Sequence, residues 1–304
     1  MKRANKKIKD KTYVPFILSC TVIPVVNFLV FYIYTNFSAF TMAFTNKDGI
    51  WSFDNFTRFF AELALPTSDL RLAFLNTFLT FGILLVSFPF KVLVSYFIYK
   101  KVPGYNVFRV IFFIPTVVFS VAVAMVFTRL VSVDGVIAKW VGESLDLGYT
   151  PELLGDSRFA NITVLLNMIW LGFPGDLIIW GGTFARIPED VLESGRIDGT
   201  TWWTEFTKII VPLVWPTVAL QMVLMFCGIF GASGNVFLLT GGKFNTMTLN
   251  AWMYIQLYEN SGSRYTSNVY NYMSAVGLCL TVVSITISLL IRRWTDKAFD
   301  EVEF

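Results

Sequence analysis

The stretch LAFLNTFLTFGILLVSFPFKVLVSYFIY, residues 72–99, decides the fold, because it is apolar along its length and carries one charged side chain, Lys91. A helix needs about 20 apolar residues to cross a hydrocarbon core of ~30 Å. Lipid offers a bare backbone no hydrogen-bond partners, so such a run is expected to cross as an α-helix. Five further runs meet the same criterion. The six predicted spans are residues 14–37, 72–99, 107–127, 162–184, 209–230 and 273–291.

The composition agrees with a membrane protein and excludes several other classes. Apolar residues make up 55% of the 304 residues and charged residues 15%, against roughly 45–50% and about 25% in soluble domains. The absence of histidine excludes His-based triads and His metal sites. The cysteines Cys20, Cys227 and Cys279 form no Cys-x-x-Cys pair, and a net charge of +3 gives no indication of nucleic-acid binding. The sequence predicts an all-α polytopic membrane protein with six transmembrane helices.

The basic residues predict the orientation of the chain. Lys and Arg are enriched at the cytoplasmic ends of membrane helices. With the N-terminus inside, 16 of the 24 Lys and Arg residues fall on the inner side. Both termini and the inner loop at 185–208 are therefore predicted to be cytoplasmic, in a multi-pass protein of the cell membrane. The outer loops at 38–71, 128–161 and 231–272 are each longer than thirty residues and are expected to be partly helical.

The inner loop at 185–208 contains two short predicted helices joined by a tight turn. Pro188 is tolerated in a first helical turn, and Glu189 suits the positive end of the helix dipole. Gly199 suits a stop in the left-handed conformation. A second helix is expected from about Thr201 into the fifth span. From the residues alone, this hairpin is either an ordinary surface element or a docking element for a soluble partner.

This loop resembles the EAA loop of the inner-membrane components of binding-protein-dependent ABC importers, in particular of the maltose-type carbohydrate permeases. The family signature is Glu-Ala-Ala, three residues, Gly, and about nine residues later Ile-x-Leu-Pro. The matching positions here are Glu193, Gly199, Ile209 and Pro212, with Ile197-Asp198-Gly199 in the common Ile-Asp-Gly form. Ser194 and Gly195 stand where the family has its two alanines, and Val211 replaces the leucine.

A second stretch resembles the same permeases. Leu239-Thr240-Gly241-Gly242, followed by Thr246-Met247-Thr248-Leu249, is similar to their Thr-Gly-Gly-x-Pro…Thr…Leu segment. The family's proline is absent near Lys243-Phe244, so the resemblance does not define this turn. Asn76-Thr77 in the second span and Phe113-Ile114-Pro115 in the third are also similar. The resemblance covers about residues 70–295.

The resemblance implies a type I ABC importer permease fold and a non-catalytic membrane subunit of an ATP-hydrolysing transporter. Residues 1–71 are then the N-terminal tail, first transmembrane helix and outer loop, residues 72–293 the importer domain with the EAA loop at 185–212, and residues 294–304 a cytoplasmic tail. The implied partners are a second homologous permease, a pair of ATPase subunits that hold ATP and Mg²⁺, an extracellular solute-binding protein, membrane lipid and a carbohydrate substrate. No cofactor is expected in this chain, because it has no Gly-x-x-x-x-Gly-Lys-[Ser/Thr] motif. Nucleic acid is not expected as a partner.

In this family the EAA loop is gripped by the ATPase and acts as a lever that switches the cavity between inward- and outward-facing states. The resemblance therefore assigns docking to this loop. The expected docking residues are Glu189, Leu192, Glu193, Ser194, Gly195, Asp198 and Gly199.

The substrate pathway is expected near the fourth span, where Gly172, Pro174 and Gly175 are expected to break or kink the helix. Asp176 follows within the apolar region, and such a carboxylate either lines a pathway or pairs with a polar neighbour for structure alone. Sugars are bound by hydrogen bonds and aromatic stacking. The candidate lining residues are Asn167, Trp170, Asp176, Trp180, Gln221 and Asn235. For the tryptophans, packing or an interfacial position is the alternative.

Three alternative functions stay open at this point. The first is the same transporter class carrying glycerol-3-phosphate or another small solute; the 8 basic and 10 acidic residues of the outer loops form no funnel for a highly anionic substrate. The second is a polytopic membrane enzyme with Asp176 catalytic, which has no second intramembrane acid or histidine to assist it. The third is a secondary transporter, for which no charge relay or inverted repeat is visible.

Cysteine labelling tests the predicted orientation. Single cysteines at Asn5, Ser144 and Thr201, each in an otherwise cysteine-free variant, are exposed to an impermeant thiol reagent on intact cells. Only the cysteine at position 144 is expected to react, because the basic bias places the other two inside. Labelling at position 201 contradicts the predicted topology.

Overall fold

The computed structural model describes residues 13–232, 235–258 and 266–298. Within these ranges the only β-pairing is one bridge between Thr45 and Trp51, and the regular elements are helices. The helices up to α8 are α1 (Tyr13–Asn27), α2 (Thr35–Ala43), α3 (Asp54–Ala64), α4 (Asp69–Tyr99), α5 (Tyr105–Val117), α6 (Ser120–Val131), α7 (Val136–Ser144) and α8 (Ala160–Phe184). Those that follow are α9 (Glu189–Ile197), α10 (Trp202–Thr204), α11 (Val211–Leu213), α12 (Trp215–Cys227), α13 (Val236–Leu239), α14 (Leu249–Tyr258) and α15 (Thr266–Ala298). π-Helical segments lie at Phe28–Tyr34 and Glu205–Ile210.

Five helical segments in the described ranges are long and apolar enough to cross a membrane, and a bent pair makes up to six. The five are Pro15–Ala43, Asp69–Tyr99, Ser120–Ser144, Ala160–Phe184 and Asn268–Ala298. The bent pair consists of Trp202–Leu213 and Trp215–Cys227. The predicted all-α polytopic fold is confirmed. The helical content predicted for the long loops is also present, in α3, α7, α13 and α14.

The third predicted span is not one helix. α5 ends at Val117 and α6 begins at Ser120, and Val118 and Phe119 between them have extended ψ values of 143° and 132°. Pro115 removes a backbone donor just before the break, and the β-branched Val117 and Val118 have limited helix propensity. The prediction of a continuous span at 107–127 is wrong. The apolar criterion is met further along the chain, over Ser120–Ser144.

The fifth predicted span begins with a sharp bend. Its two parts, Trp202–Leu213 and Trp215–Cys227, meet at an angle of 73°. Pro212 and Pro216 flank the bend, and each lacks the N–H that a regular helix needs. The chain therefore forms a short arm that ends at Leu213, followed by α12, and the bend falls inside the span predicted at 209–230.

The described residues lie in two compact units. Met1–Phe60 and Ser263–Cys279 belong to the first, and Ala61–Gly262 and Leu280–Phe304 to the second. In the first unit, the side-chain amide of Asn55 donates to the carbonyl oxygens of Ala43 (3.1 Å) and Thr45 (3.0 Å). The guanidinium of Arg58 lies 4.1 Å from the ring centre of Tyr272. These contacts order the loop after α2 within that unit.

In the second unit, the core lies where α4 packs against α8. The most extensive helix–helix contact of the described chain joins these two helices. A buried cluster along their contact contains Val92, Tyr96, Trp180, Phe184 and Ile210. Because lipid tails are as apolar as the side chains, helices in membranes associate through close packing of this kind. The same cluster includes residues of the loop after α8, so the loop is part of the core.

Candidate coupling loop and substrate pathway

The loop between α8 and α12 contains the predicted hairpin. α9 follows Pro188 and ends before Asp198. Gly199 has φ of +74°, a conformation that glycine adopts without the strain other residues incur. The side-chain oxygen of Thr201 accepts a hydrogen bond from the backbone N–H of Thr204 at 3.3 Å and caps the second arm. The helix, turn and second helix lie where the sequence predicts them.

One face of α9 is buried against the chain itself. Leu192 is 6% exposed and belongs to the buried cluster with Tyr96 and Trp180. Gly195 is also buried, and a Cβ built on it lies 2.8 Å from Cδ1 of Ile209, so a side chain there has no room unless Ile209 moves. The sequence placed Leu192 and Gly195 on the docking surface. The structure corrects this assignment, because both residues are buried where α9 packs against the rest of the chain.

The opposite face of α9 is open. The remaining predicted docking residues are exposed: Glu189, Glu193, Ser194, Asp198 and Gly199. Ile197, which the prediction omitted, is 85% exposed and lies about 200° around the helix from Gly195 at 3.6 residues per turn. The sequence alone did not indicate this, because only the structure shows that Gly195 is packed and that the opposite side of α9 is exposed. Trp202 and Trp203, just beyond the turn, are about half exposed.

A buried carboxylate fixes the second arm to α4. Glu205 is 5% exposed and forms an ion pair with Lys100, which follows the last residue of α4. The ring centre of the next residue, Phe206, lies 5.2 Å from the ring centre of Tyr96 on α4. A buried charge is tolerated where it is paired, and removing one partner is expensive. The arm from Glu205 to Ile210 is therefore held to α4 by both a charge pair and packing.

A cleft of about 300 Å³ lies between α9 and the end of α4. Glu189 and Glu193 of α9 line it together with Lys100, Lys101 and Arg196. The two predicted docking residues thus line the same cleft as basic residues of this chain. Glu193 is therefore near charges of its own permease as well as on the exposed side of the loop.

α8 is unbroken from Ala160 to Phe184, so of the two outcomes expected at Gly172, Pro174 and Gly175 the break is wrong, while a kink stays a prediction. Gly172 serves a different purpose. A Cβ built on it lies 2.6 Å from Nζ of Lys91 on α4, so the absence of a side chain leaves space for that amine. The glycine admits a charged neighbour into the helix contact and does not interrupt the helix.

Asp176 is paired within the apolar region. Its Oδ2 lies 2.8 Å from Nζ of Lys91, and the two side chains are 21% and 9% exposed. Nζ of Lys91 also lies 5.8 Å from the ring centre of Phe173. Unpaired charges at this depth are costly, whereas a pair satisfies both groups. Of the two alternatives for Asp176, a structural pair is the one observed, and contact with substrate stays a prediction.

The two tryptophans of the predicted pathway have different surroundings. Trp180 is fully buried, with its ring centre 5.9 Å from that of Phe88, which is the packing alternative. Trp170 is half-buried and stacks on Phe127 at 6.4 Å. Trp170 also lines an apolar cavity of about 660 Å³, which none of the other five candidate residues lines. The structure therefore does not gather the candidates into one site.

The three remaining candidates have side-chain amides. Asn167 on α8 is fully buried, and neither of its side-chain amide atoms has a hydrogen-bond partner in the described part of the chain. Gln221 lies half-buried on α12, and Asn235 is half-buried just before α13. Buried amides without partners are rare, because each forgone hydrogen bond is costly. Asn167 is thus the candidate with both side-chain amide atoms unpaired, while Nδ2 of Asn235 and Nε1 of Trp180 also have no hydrogen-bond partner in the described part of the chain.

The Thr-Gly-Gly segment is fastened to α4. Nδ2 of Asn76 donates to the carbonyl oxygens of Asn245 (2.6 Å) and Met247 (2.9 Å), and Oγ1 of Thr77 accepts from the N–H of Leu249 at 2.8 Å. Two stretches that separately resemble the same permeases therefore meet in space.

The turn of this segment departs from the family pattern. Phe244, at the position of the family's proline, has φ of +56°, and Asn245 has +61°. A proline ring fixes φ near −65°, so proline is incompatible with this conformation.

Neutralising the intramembrane pair tests its role. Lys91→Met and Asp176→Leu are each expected to destabilise the purified protein by about 3–5 kcal/mol, because each leaves one buried charge unpaired. The double variant is expected to recover most of the loss, which a double-mutant cycle of unfolding free energies measures. Asp134→Asn, at an exposed carboxylate, is the control and should change little. Additive losses in the double variant contradict a coupled pair.

The sequence matches the family described as "Binding-protein-dependent transport system inner membrane component" over residues 91–301. The multiple sugar-binding transport system permease protein MsmF of Streptococcus mutans is 23% identical over 280 residues, 91% of this chain and 93% of the relative. The arabinooligosaccharides transport system permease protein AraP of Bacillus subtilis is 25% identical over 286 residues, which cover 91% of this chain and 84% of the relative. The maltose/maltodextrin transport system permease protein MalF of Vibrio parahaemolyticus is 26% identical over 219 residues, 69% of this chain and 41% of the relative, so this chain spans less than half of its length.

Two solved structures share the fold. A chain of a bacterial ABC transporter involved in the import of the acidic polysaccharide alginate has a TM-score of 0.77 and 22% identity, covering 93% of this chain and 96% of that chain. A chain of the bacterial alginate ABC transporter in complex with an alginate pentasaccharide-bound periplasmic protein has a TM-score of 0.75 and 23% identity, covering 92% and 95%. With the family match over more than half of the chain, this protein belongs to the binding-protein-dependent transport system inner membrane components and is a multi-pass membrane permease.

Proposed function

We propose that this chain is the permease subunit of an ATP-driven importer that passes an oligosaccharide across the cell membrane. The observation that carries the proposal is α9, a short helix outside the apolar spans with one face built into the permease core and the other free. Family membership and the names of MsmF and AraP support the choice of a sugar. The chain supplies half of a pathway, and a second homologous permease supplies the other half.

The exposed face of α9 is the proposed docking surface for an ATPase subunit. Ile197 is its apolar anchor, and a large hydrophobic side chain exposed outside the spans is suited to enter a groove on a partner. Asp198 and Ser194 flank it with polar groups, as at the rim of a protein interface. ATP and Mg²⁺ are bound by the ATPase pair, which lies on the side predicted to be cytoplasmic.

The internal contacts of the loop make it a lever in this proposal. Leu192 ties α9 to the core, and Gly195 lies close to Ile209 on the second arm. Glu205 on that arm is paired with Lys100 at the end of α4. A displacement of α9 is therefore passed to α4 and α8 and is not absorbed by a flexible loop. Closure of the ATPase pair then drives the change between inward- and outward-facing states.

The substrate reaches the permease from an extracellular solute-binding protein in this mechanism. The alginate transporter in complex with its periplasmic protein provides a precedent for such an assembly on this fold. Substrate choice is then shared between that protein and the pathway. Asn167 has both side-chain amide atoms without a partner in the described chain, and in this mechanism it offers them to the substrate when the cavity opens.

Substitution of Ile197 tests the docking surface. Ile197→Asn is expected to reduce co-purification of the ATPase subunit at least tenfold and to abolish uptake of labelled malto- or arabino-oligosaccharides by proteoliposomes holding the full transporter. Folding should be unaffected, because the side chain is 85% exposed. Ile197→Val keeps an apolar side chain and is the matched control that should retain both activities. Equal ATPase recovery with all three proteins contradicts the docking assignment.

Gly199 offers a separate test of the turn. Gly199→Leu is expected to distort the hairpin, since a bulky residue at φ of +74° is strained by ~1–3 kcal/mol, and to uncouple ATP hydrolysis from transport. Gly199→Asn is the control, because asparagine tolerates the left-handed conformation better than other residues. Membrane insertion, measured by immunoblot of the membrane fraction, should be equal for both. Full coupled transport by Gly199→Leu contradicts the lever.

A further inference from the structure

A second cavity, of about 390 Å³, lies between α4, α5 and α8 near the turn that joins α4 to α5. Its lining includes two basic residues, Lys101 and Arg109, and the hydroxyl-bearing Ser95, Tyr99 and Tyr105. No acidic residue of the described chain lines it. A pocket with positive charge, hydroxyl groups and no carboxylate is suited to a phosphate or another anion.

Neither basic group is neutralised by an ion pair within the described chain, although the guanidinium of Arg109 lies 5.8 Å from the ring centre of Phe113 and Lys101 also lines the cleft with Glu189 and Glu193. Lys100 is paired with Glu205, whereas neither Lys101 nor Arg109 forms an ion pair with a described residue. Lys101 is held at φ of +54°, a backbone conformation that residues with a side chain rarely adopt. On the α8 side, Gly181 and Gly182 leave open space, with no atom within 4 Å of a Cβ built on either. Charge, backbone conformation and free space thus coincide at one place.

An apolar groove of about 300 Å³ adjoins this cavity and shares Ile98 and Tyr105 with it. Its other walls are apolar side chains of α4, α5 and their connecting turn, among them Phe90, Phe97, Phe108 and Phe112. Phe90 and Phe108 are more than half exposed, on helices that the sequence places in the membrane. The surface therefore combines a cavity lined by basic residues with an apolar groove of the character that suits an acyl chain.

We propose that the cavity at Lys101 and Arg109 binds the phosphate of an anionic phospholipid whose acyl chain lies in the groove between α4 and α5. Basic pockets between transmembrane helices on the cytoplasmic side are suited to acidic lipid headgroups. The proposal depends on the predicted orientation, which places this turn at the inner surface, and it does not depend on sugar transport. The lipid is a fixed structural partner beside the arm that holds α9, because Lys100 and Lys101 are consecutive.

Native mass spectrometry of the full-length chain in detergent tests the site. The purified, delipidated protein is titrated with phosphatidylglycerol, phosphatidylcholine or inorganic phosphate, and phosphatidylglycerol is expected to bind at least tenfold more tightly than either. A basic residue near an anionic lipid contributes about 1 kcal/mol, and 1.4 kcal/mol corresponds to a tenfold change. Lys101→Gln and Arg109→Gln should therefore each weaken phosphatidylglycerol binding about fivefold, and the double variant about 25-fold.

Arg293→Gln is the matched control, since Arg293 is an exposed residue near the predicted inner surface that does not line the cavity. It should change the affinity less than twofold, and an equal loss in this control overturns the site in favour of general surface charge. Equal binding of both lipids overturns the headgroup assignment. Tight binding of inorganic phosphate indicates a small-anion site, and displacement of the lipid by a uronic acid oligosaccharide indicates a substrate site; either overturns the proposal. If the Gln variants do not fold, Lys101→Arg and Arg109→Lys, which keep the charge, replace them and must retain phosphatidylglycerol binding. The wild type must then also be stabilised against heat by phosphatidylglycerol and not by phosphatidylcholine.

Discussion

The contact between α4 and α8 is the interaction on which the rest of the described second unit depends. It buries the Lys91–Asp176 pair, Trp180 and Tyr96 along a single helix pair. In lipid this contact cannot rely on the exclusion of water from apolar surface, so close approach and paired polar groups must stabilise it. Gly172 illustrates the requirement, because a Cβ built on it lies 2.6 Å from Nζ of Lys91, so a side chain there would displace the amine.

The same helix pair connects the membrane to the candidate coupling loop. The buried cluster continues from Val92 and Phe184 to Leu192 and Ile210, so no boundary separates the spans from the loop. At its edge the Glu205–Lys100 pair adds a charge contact that is largely removed from water. The loop is thus packed into the core while one face of α9 stays exposed, which is the combination required of a part that transmits force to a partner.

The sequence predicted the fold class and the hairpin because both depend on local signals. Apolar run length defines spans, and Pro188, Gly199 and Thr201 define helix ends. It failed where the outcome depends on contacts across the chain. Leu192 and Gly195 were assigned to the partner because nothing local indicates which side of a two-sided helix meets its own core. The Asp176–Lys91 pair was left open for the same reason, since the residues are far apart in sequence and meet only through the α4–α8 contact.

Prolines and glycines show the limit of local rules most clearly. Pro212 and Pro216 bend the chain by 73°, as their missing donors allow, whereas Pro174 and its neighbouring glycines leave α8 unbroken. The difference lies in the surroundings, because α8 packs against α4 and α5, and Gly172 accommodates the amine of Lys91. Propensity identifies where a helix can bend, and packing decides whether it does.

A lever works only if detaching it costs more than moving what it is attached to. Separating α9 from the core would expose Leu192, and exposing a fully buried leucine side chain costs about 1.5–3 kcal/mol of free energy. Separating the buried Glu205 from Lys100 would add about 3–5 kcal/mol, because it leaves a charge without a partner. Conformations of a switching protein typically differ by only a few kcal/mol, so in the proposed mechanism rearrangement of the spans is cheaper than failure of the loop. It follows that residues of the pathway can vary with the substrate while the loop and its two buried attachments must remain intact.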